Sequence, residues 1–439
     1  MQRIIANLKY ALAVVVTLPL ACAGGVAWAA VSGITGPTFD LTAKVDYIST
    51  GDGNSLMNWG YADGNGTMQY PGPTLIVNQG DTVTVNLTNN LPVTVSIVFP
   101  GQSNVSTTGG TPGLLTAEAA PNTSVSYSFV ATNPGTYMYH SGTNAAVQVE
   151  MGLFGALIVR SGTPNQAYNH VNTTYDREFL FVLSEMDKRV HEQIATMSIT
   201  NQVNDTTTRA IDMTNYHATL WFINGRNAPD SLFADGAPWL PTQPYGSMVR
   251  IHPGDRTLIR LIGGGRDLHP FHTHGQHALQ IAQNGRLLQS APGMGPDLAR
   301  LDYTLRTVPG ETYDAIYTWT GKDLGWDIYG TDADGHPHTC TPDVNGYDTT
   351  TREWCADHNK PIPVSLPQQQ DLAFGGFWSG SPYMGVFGAL PPGEGGLNPN
   401  AGFTFMWHSH NEVELTNDDI FPGGLMTMCI VEPTSVSLP

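Results

Sequence analysis

Thr136-Tyr137-Met138-Tyr139-His140-Ser141-Gly142 and Thr404-Phe405-Met406-Trp407-His408-Ser409-His410 are two versions of one segment. Each is followed by a glycine-containing apolar run, residues 152–159 in one half of the chain and 423–431 in the other. A second match lies upstream of each. Val77-Asn78-Gln79-Gly80-Asp81 feeds Thr82-Val83-Thr84-Val85-Asn86-Leu87, and Ile251-His252-Pro253-Gly254-Asp255 feeds Arg256-Thr257-Leu258-Ile259-Arg260-Leu261. Both are a Gly-Asp turn leading into a strand. The order of elements agrees, so the chain carries one unit twice. Short strands, frequent turns and no long helical pattern make the protein all-β, each unit a Greek-key β-sandwich.

The first unit spans residues 38–160, a polar linker 161–176, and the second unit 177–433. The second is too long for one sandwich. Its surplus lies mainly in a Gly/Pro-rich insertion, residues 325–401, and a loop of that length is functional or disordered. Cys340 and Cys355 fall inside it. In an oxidising compartment they are expected to close a disulfide around a short loop, worth roughly 3 kcal/mol in the chain-entropy picture, which favours an ordered lid or interface element. Cys429 sits in the apolar run Leu425-Met426-Thr427-Met428-Cys429-Ile430-Val431 and reads as a buried, inert core thiol.

Composition supports this architecture. The 439 residues include 48 Gly and 31 Pro, and only 13% are charged, against globular averages of roughly 12% for Gly plus Pro and roughly 25% for charge. That pattern argues against helical bundles, coiled coils and charged disordered tails. At the N-terminus, Arg3 and Lys9 precede an apolar stretch ending in Ala27-Trp28-Ala29. A basic start, an apolar middle and a small-x-small site read as a secretory signal peptide over residues 1–29, placing the mature chain in the periplasm or outside the cell. No other apolar run is long enough to span a bilayer, so no membrane association is expected after cleavage. The signal holds two of the 19 Lys and Arg residues and no acid, leaving 17 basic against 37 acidic groups. Such a surface disfavours nucleic acid and anionic membrane as partners.

The histidines carry the chemistry. Of 14, four lie in His269-Pro270-Phe271-His272-Thr273-His274-Gly275-Gln276-His277 and two in His408-Ser409-His410. On a strand, residues i and i+2 face the same side. If the two segments are neighbours, His272, His274, His408 and His410 converge, a donor set that suits copper, zinc, iron or nickel. In the first unit, Val98-Phe99-Pro100-Gly101 takes the place of His272-Thr273-His274-Gly275, and Gly142 that of His410. Only His140 remains there. It cannot hold a metal alone, but it can complete a site built by the second unit. His336, His338 and His358 in the insertion read as exposed loop histidines, with metal binding as the alternative.

The segments around His269–Gly275 and Trp407–His410 resemble the two C-terminal copper motifs of the multicopper oxidase family. Pro71-Gly72-Pro73-Thr74, Gly80-Asp81 and Ser96-Ile97 resemble the approach to its first motif. Residues 135–141 with Gly152-Leu153-Phe154-Gly155 resemble its second. The resemblance implies two cupredoxin-like domains, the copper cofactor of the two-domain branch, and a homotrimer with the copper cluster between one subunit's first domain and its neighbour's second. Carried over by residue, it puts His272 in the place of a type 2 copper ligand. His274 and His408 stand as ligands of one type 3 copper, His140 and His410 of the other, and His269 matches a histidine of the blue type 1 site. Val98, Pro100 and Gly142 stand where the family has further cluster histidines. Ser409 stands where it has the type 1 cysteine, and Glu414 where it has the second type 1 histidine. A serine hydroxyl is a hard, poor copper ligand.

The expectation is therefore a copper-dependent oxidoreductase with a type 2/type 3-like histidine centre and no blue copper, acting on a small molecule or metal ion with oxygen. The alternative is a non-catalytic copper-binding or cell-surface structural protein on the same fold. Ser409 is expected to face away from His408 and His410, towards His269 and Glu414, where a Ser-His-Glu hydrolytic triad is the remaining alternative. Glu412, Glu414, Asp418 and Asp419 read as a solvated acidic loop or as groups orienting the histidines.

Overall fold

The computed structural model describes residues 31–332, 337–361 and 403–438. Residues 1–29, read from sequence as a signal peptide, His336 and much of the insertion lie outside the described residues.

In the first unit, alternation builds the strands: Val83, Val85 and Leu87 point inward with no exposed surface while their neighbours face out. Its main strands are β1 (Thr38–Ser49), β2 (Ser55–Asp63), β3 (Gly72–Asn78), β4 (Thr82–Asn89), β5 (Ser124–Val130), β6 (Gly135–His140) and β7 (Phe154–Arg160). One sheet runs Ile34–Thr35, β3, β7, β6, and the facing sheet runs Met68–Gln69, β2, β1, β4, β5, Ser106–Gly109.

The second unit repeats this plan with β8 (Arg177–Met186), β9 (Leu220–Ile223), β10 (Val249–Ile251), β11 (Thr257–Gly263), β12 (His269–Thr273), β13 (Ala278–Gln283), β14 (Thr304–Thr307), β15 (Thr312–Tyr317), β16 (Phe403–Ser409) and β17 (Met426–Val431). The order β2-β1-β4-β5 recurs as β9-β8-β11-β15, antiparallel, parallel and antiparallel in both. The order β3-β7-β6 recurs as β10-β17-β16, parallel then antiparallel. The isolated bridge Val98↔His140 in the first unit matches the pair His272↔His408 in the second. The all-β fold and the internal repeat stand as read from sequence.

Two features depart from that reading. A helix, Lys188–Ile199, follows β8, capped by the Asp187 carboxylate, which accepts from the Arg189 N–H. It buries Val190 and Ile194 in the first unit's core, and its buried His191 places Nδ1 2.8 Å from the Met57 carbonyl. With so few apolar residues on one face, its period is weak in sequence. Residues 161–176 are also packed rather than free, with Ala167, Tyr168 and Tyr175 buried against Leu258 and Ile281.

A charged seam joins the units. Arg260 on β11, 1% exposed, donates to Glu178 on β8 at 2.9 Å and to Thr136 on β6 at 3.0 Å. Asp314 on β15 accepts from the Thr136 hydroxyl at 2.5 Å and from Tyr168 at 2.6 Å. Arg160 on β7 pairs with Glu178 across the same seam. Removing one member of a buried ionic network strands the others without water. Arg260→Met is therefore expected to cost about 3–5 kcal/mol, measured as a lower denaturation midpoint in urea.

Candidate metal centre

β12 and β16 pair antiparallel so that His272 sits opposite His408 and Phe271 opposite Ser409. Phe271 and Trp407 point into the second core, which turns His272 and His408 to the other face. Both strands then end, at Thr273 and Ser409, and His274 and His410 continue the same face just beyond them.

The result is a cluster. One donor atom each from His272, His274 and His408 lies within 4.8 Å of the others. The Nε2 atoms of His274 and His408 are 3.1 Å apart. His410 adjoins them, its ring centroid 4.9 Å from that of His272 and 5.6 Å from that of His408, with its side chain about half exposed and Nδ1 3.2 Å from Glu412. The second ring nitrogens are set by neighbours. His408 Nδ1 donates to the Ser409 carbonyl at 2.6 Å, and His272 Nδ1 lies 2.8 Å from the Thr304 hydroxyl. Holding one nitrogen fixes the tautomer and aims the other. His274 Nδ1 is buried with no hydrogen-bond partner.

Burial, aided by repulsion from neighbouring imidazoles, pushes His272 and His274 down to about 4 and about 3. Burial and the adjacent His410 bring His408 to about 4. All three rings are neutral at pH 7, as metal ligation requires. Three neutral imidazoles, one with an unsatisfied buried nitrogen, fit a transition metal such as copper.

His140 lies apart from this cluster. It repeats the device of His408, with Nδ1 2.9 Å from the Ser141 carbonyl, and burial lowers its pKa. His140 lines a cleft between the two units that Glu185 and Arg266 also line. Around it the unused ligand positions have closed up: a Cβ on Gly142 would come within 2.8 Å of Val98 Cγ1.

His269 also lies outside the cluster, on the inward face of β12 with no exposed surface. Its Nδ1 is 2.8 Å from Glu414 Oε2 and its Nε2 2.8 Å from Glu185 Oε2. Two carboxylates facing both ring nitrogens call for two N–H donors, an imidazolium. Burial opposes that charge, but the two carboxylates outweigh it and raise the pKa to about 9. Glu185 is held in turn by the Arg266 and Asp267 N–H groups at 2.6 and 3.0 Å, and Glu414 by Asn411 Nδ2 at 3.0 Å. The Ser409 hydroxyl, buried on the same side, accepts from the Asn411 N–H at 3.2 Å. It makes no hydrogen bond to His269 or Glu414, so no Ser-His-Glu triad assembles, because a second carboxylate occupies the ring nitrogen a serine would need. Glu414 is 2% exposed rather than part of a solvated loop.

Sequence reasoning missed Glu185. Its one signal is a carboxylate inside the otherwise apolar strand run Phe179-Leu180-Phe181-Val182-Leu183-Ser184-Glu185-Met186.

The multicopper oxidase family model matches residues 62–164. The copper resistance protein A homolog of Pseudomonas syringae pv. tomato is 27% identical over 253 residues, 53% of this chain and 40% of that protein. L-ascorbate oxidase of Nicotiana tabacum is 36% identical over 134 residues, 30% of this chain and 22% of that one. The first unit thus carries a multicopper oxidase domain match, and the chain is similar to multicopper oxidases over part of its length. It spans less than half the length of these curated relatives. Among solved structures, the blue copper oxidase from Nitrosomonas europaea superposes with a TM-score of 0.54 at 21% identity, over 89% of this chain and 85% of that one. The multicopper oxidase mgLAC also gives 0.54, at 20% identity, over 92% and 87%. These likenesses establish the cupredoxin-like fold over nearly the whole chain. The family match falls on the first unit, which keeps His140, while the histidine cluster lies in the second.

His269 fixes a pH dependence. A folded pKa of about 9, above an unfolded value of about 6.5, gives stability fully present below about pH 6.5 and lost as pH rises through about 9. The metal-free protein should lose up to ~3 kcal/mol of unfolding free energy over that window. His269→Gln should flatten this limb in urea titrations run from pH 6.5 to 9.5.

Proposed function

We propose that the protein is a secreted or periplasmic copper-binding oxidoreductase whose copper is held by His272, His274, His408 and His410, with no blue type 1 centre. The observation that carries this reading is the convergence of three neutral imidazoles on one sheet face, one with a buried, unsatisfied nitrogen. When bound, copper supplies one-electron redox chemistry to a small-molecule or metal-ion donor, with oxygen as acceptor. The chain's own part is to keep the imidazoles unprotonated, orient them through Thr304 and the Ser409 carbonyl, and leave the His410 side open to solvent.

The absence of a blue centre in this reading is supported by the residues at the place where it would stand. Ser409 offers no thiolate, and both ring nitrogens of His269 are engaged by carboxylates. Cys429, the one free cysteine among the described residues, is buried in the core. Copper-loaded protein should therefore show a copper spin-resonance signal but no intense blue charge-transfer band. His272→Ala/His408→Ala should reduce bound copper to background. A blue band, or full copper retention in that variant, contradicts the reading.

His140 completes the site from a neighbouring subunit in a homotrimer. Exposed apolar groups support this arrangement. Leu114 and Leu115 stand at 92% and 65% exposure, Leu115 near Gly142, two residues from His140, while Leu301 and Tyr303 stand at 62% and 58%, the Tyr303 ring against His272. Burying such patches against each other is a common route to assembly. Leu114→Asp/Leu115→Asp should shift the particle mass by light scattering from three chains to one, without altering the fold by circular dichroism.

The non-catalytic reading draws on one observation, the closing-up of the first unit's ligand positions around Gly142 and Val98. Oxygen uptake with phenols and with metal ions as donors separates the two. Turnover abolished by His272→Ala/His408→Ala supports the oxidoreductase, and bound copper with no turnover supports the binder.

A further inference from the structure

The insertion holds a second cluster, built without reference to the first. Asp327 follows β15, His338 precedes Cys340 by two residues, Glu353 precedes Cys355 by two, and His358 follows the short turn Cys355–Asp357. The Cys340–Cys355 disulfide ties these segments together. Asp327 and Glu353 have side chains 0% and 2% exposed, and His338 and His358 only 17% and 19%. The expectation of exposed loop histidines thus fails for His338 and His358, because two buried carboxylates draw them inward.

The distances form a closed ring. His338 Nε2 lies 3.1 Å from Glu353 and 3.5 Å from Asp327, while His358 Nδ1 lies 2.9 Å from Glu353 and 3.4 Å from Asp327. Each imidazole nitrogen faces both carboxylates, and each carboxylate faces both imidazoles. One N–H serves one acceptor well, so simple ion pairing explains two of these contacts and leaves the two longer ones without a role. The two longer contacts run to one Asp327 oxygen, Oδ2, and match the edge of about 3.4 Å in a tetrahedron around an ion with ligands at about 2.0–2.1 Å, while one donor atom from each of the four residues lies within 4.8 Å of the others. Two carboxylates and two neutral imidazoles also balance a divalent charge.

We propose that Asp327, His338, Glu353 and His358 form a structural site for a divalent first-row transition ion, zinc above all, separate from the copper centre. Four protein donors close the coordination sphere, the pattern of structural rather than catalytic zinc. The donors are already oriented by their surroundings. Asp327 Oδ2 accepts from the Asn359 N–H at 2.7 Å and Oδ1 from the Tyr329 N–H at 2.9 Å. The site is anchored to the second unit, since Ile328 and Tyr329 belong to its core and Arg352 reaches the Pro253 carbonyl at 3.1 Å and Asp255 at 2.5 Å. A bound ion would lock the insertion onto that sandwich.

The test titrates Zn2+ into the full-length His272→Ala/His408→Ala chain, stripped with chelator beforehand, so that the other cluster does not compete. One zinc per chain is expected, and none after adding His338→Gln/His358→Gln. X-ray absorption at the zinc edge should show two imidazoles, oxygen donors and no sulfur. The same spectrum on the wild-type chain with the His272 cluster first filled with copper, which is silent at the zinc edge, covers the case in which a variant does not fold. No zinc uptake, uptake unchanged by His338→Gln/His358→Gln, or a first shell with three or more imidazoles overturns the proposal. In the first of these outcomes the cluster is a set of ion pairs between imidazolium and carboxylate.

Discussion

One strand register governs this molecule. His272 lies opposite His408 because Phe271 and Trp407 both face the core of the second unit. A slip of one residue would turn the histidines inward and the aromatic rings out, breaking up the imidazole cluster and the core together. The burial of Phe271 and Trp407 thus specifies the imidazole cluster without any contribution from a metal. The first unit keeps the same register, with Val98 opposite His140, yet assembles no cluster. The scaffold places positions on a face, and the residues at those positions decide what is done there.

The same alternation produces opposite electrostatics three residues apart. His272 faces outward among imidazoles, and burial and mutual repulsion keep it neutral. His269 faces inward between Glu185 and Glu414, whose carboxylates hold it charged. A neutral ring binds metal and a doubly hydrogen-bonded imidazolium does not. The place where the resemblance puts a type 1 histidine therefore carries a buried charge network, and the neighbouring face carries the neutral imidazole cluster.

Much of this was legible in the sequence, and the reasons are local. The Gly-Asp turns, the alternating strands and the paired His-x-His segments recur with the same order, and pattern of that kind survives without coordinates. The disulfide was also readable, since Cys340 and Cys355 are the two cysteines outside the core strand and the signal segment. What escaped notice depends on tertiary contact. The helix Lys188–Ile199 buries only a narrow stripe and takes its stability from docking on β2 and its neighbours. Glu185 is a single carboxylate whose meaning appears only when His269 arrives opposite it. Asp327 and Glu353 share no spacing with His338 and His358 that marks them as partners, so those histidines read as solvent-exposed. The reading of Ser409 as a partner of His269 failed for the same reason, because the competing carboxylate comes from a strand distant in sequence.

In the proposed site copper takes the outward face of β12 and β16 rather than the inward one. Diffraction from copper-loaded crystals at the copper absorption edge tests this directly. An anomalous peak is expected among the ring nitrogens of His272, His274 and His408 and none beside His269. A peak between His269, Ser409 and Glu414, with the outward cluster empty, would contradict it.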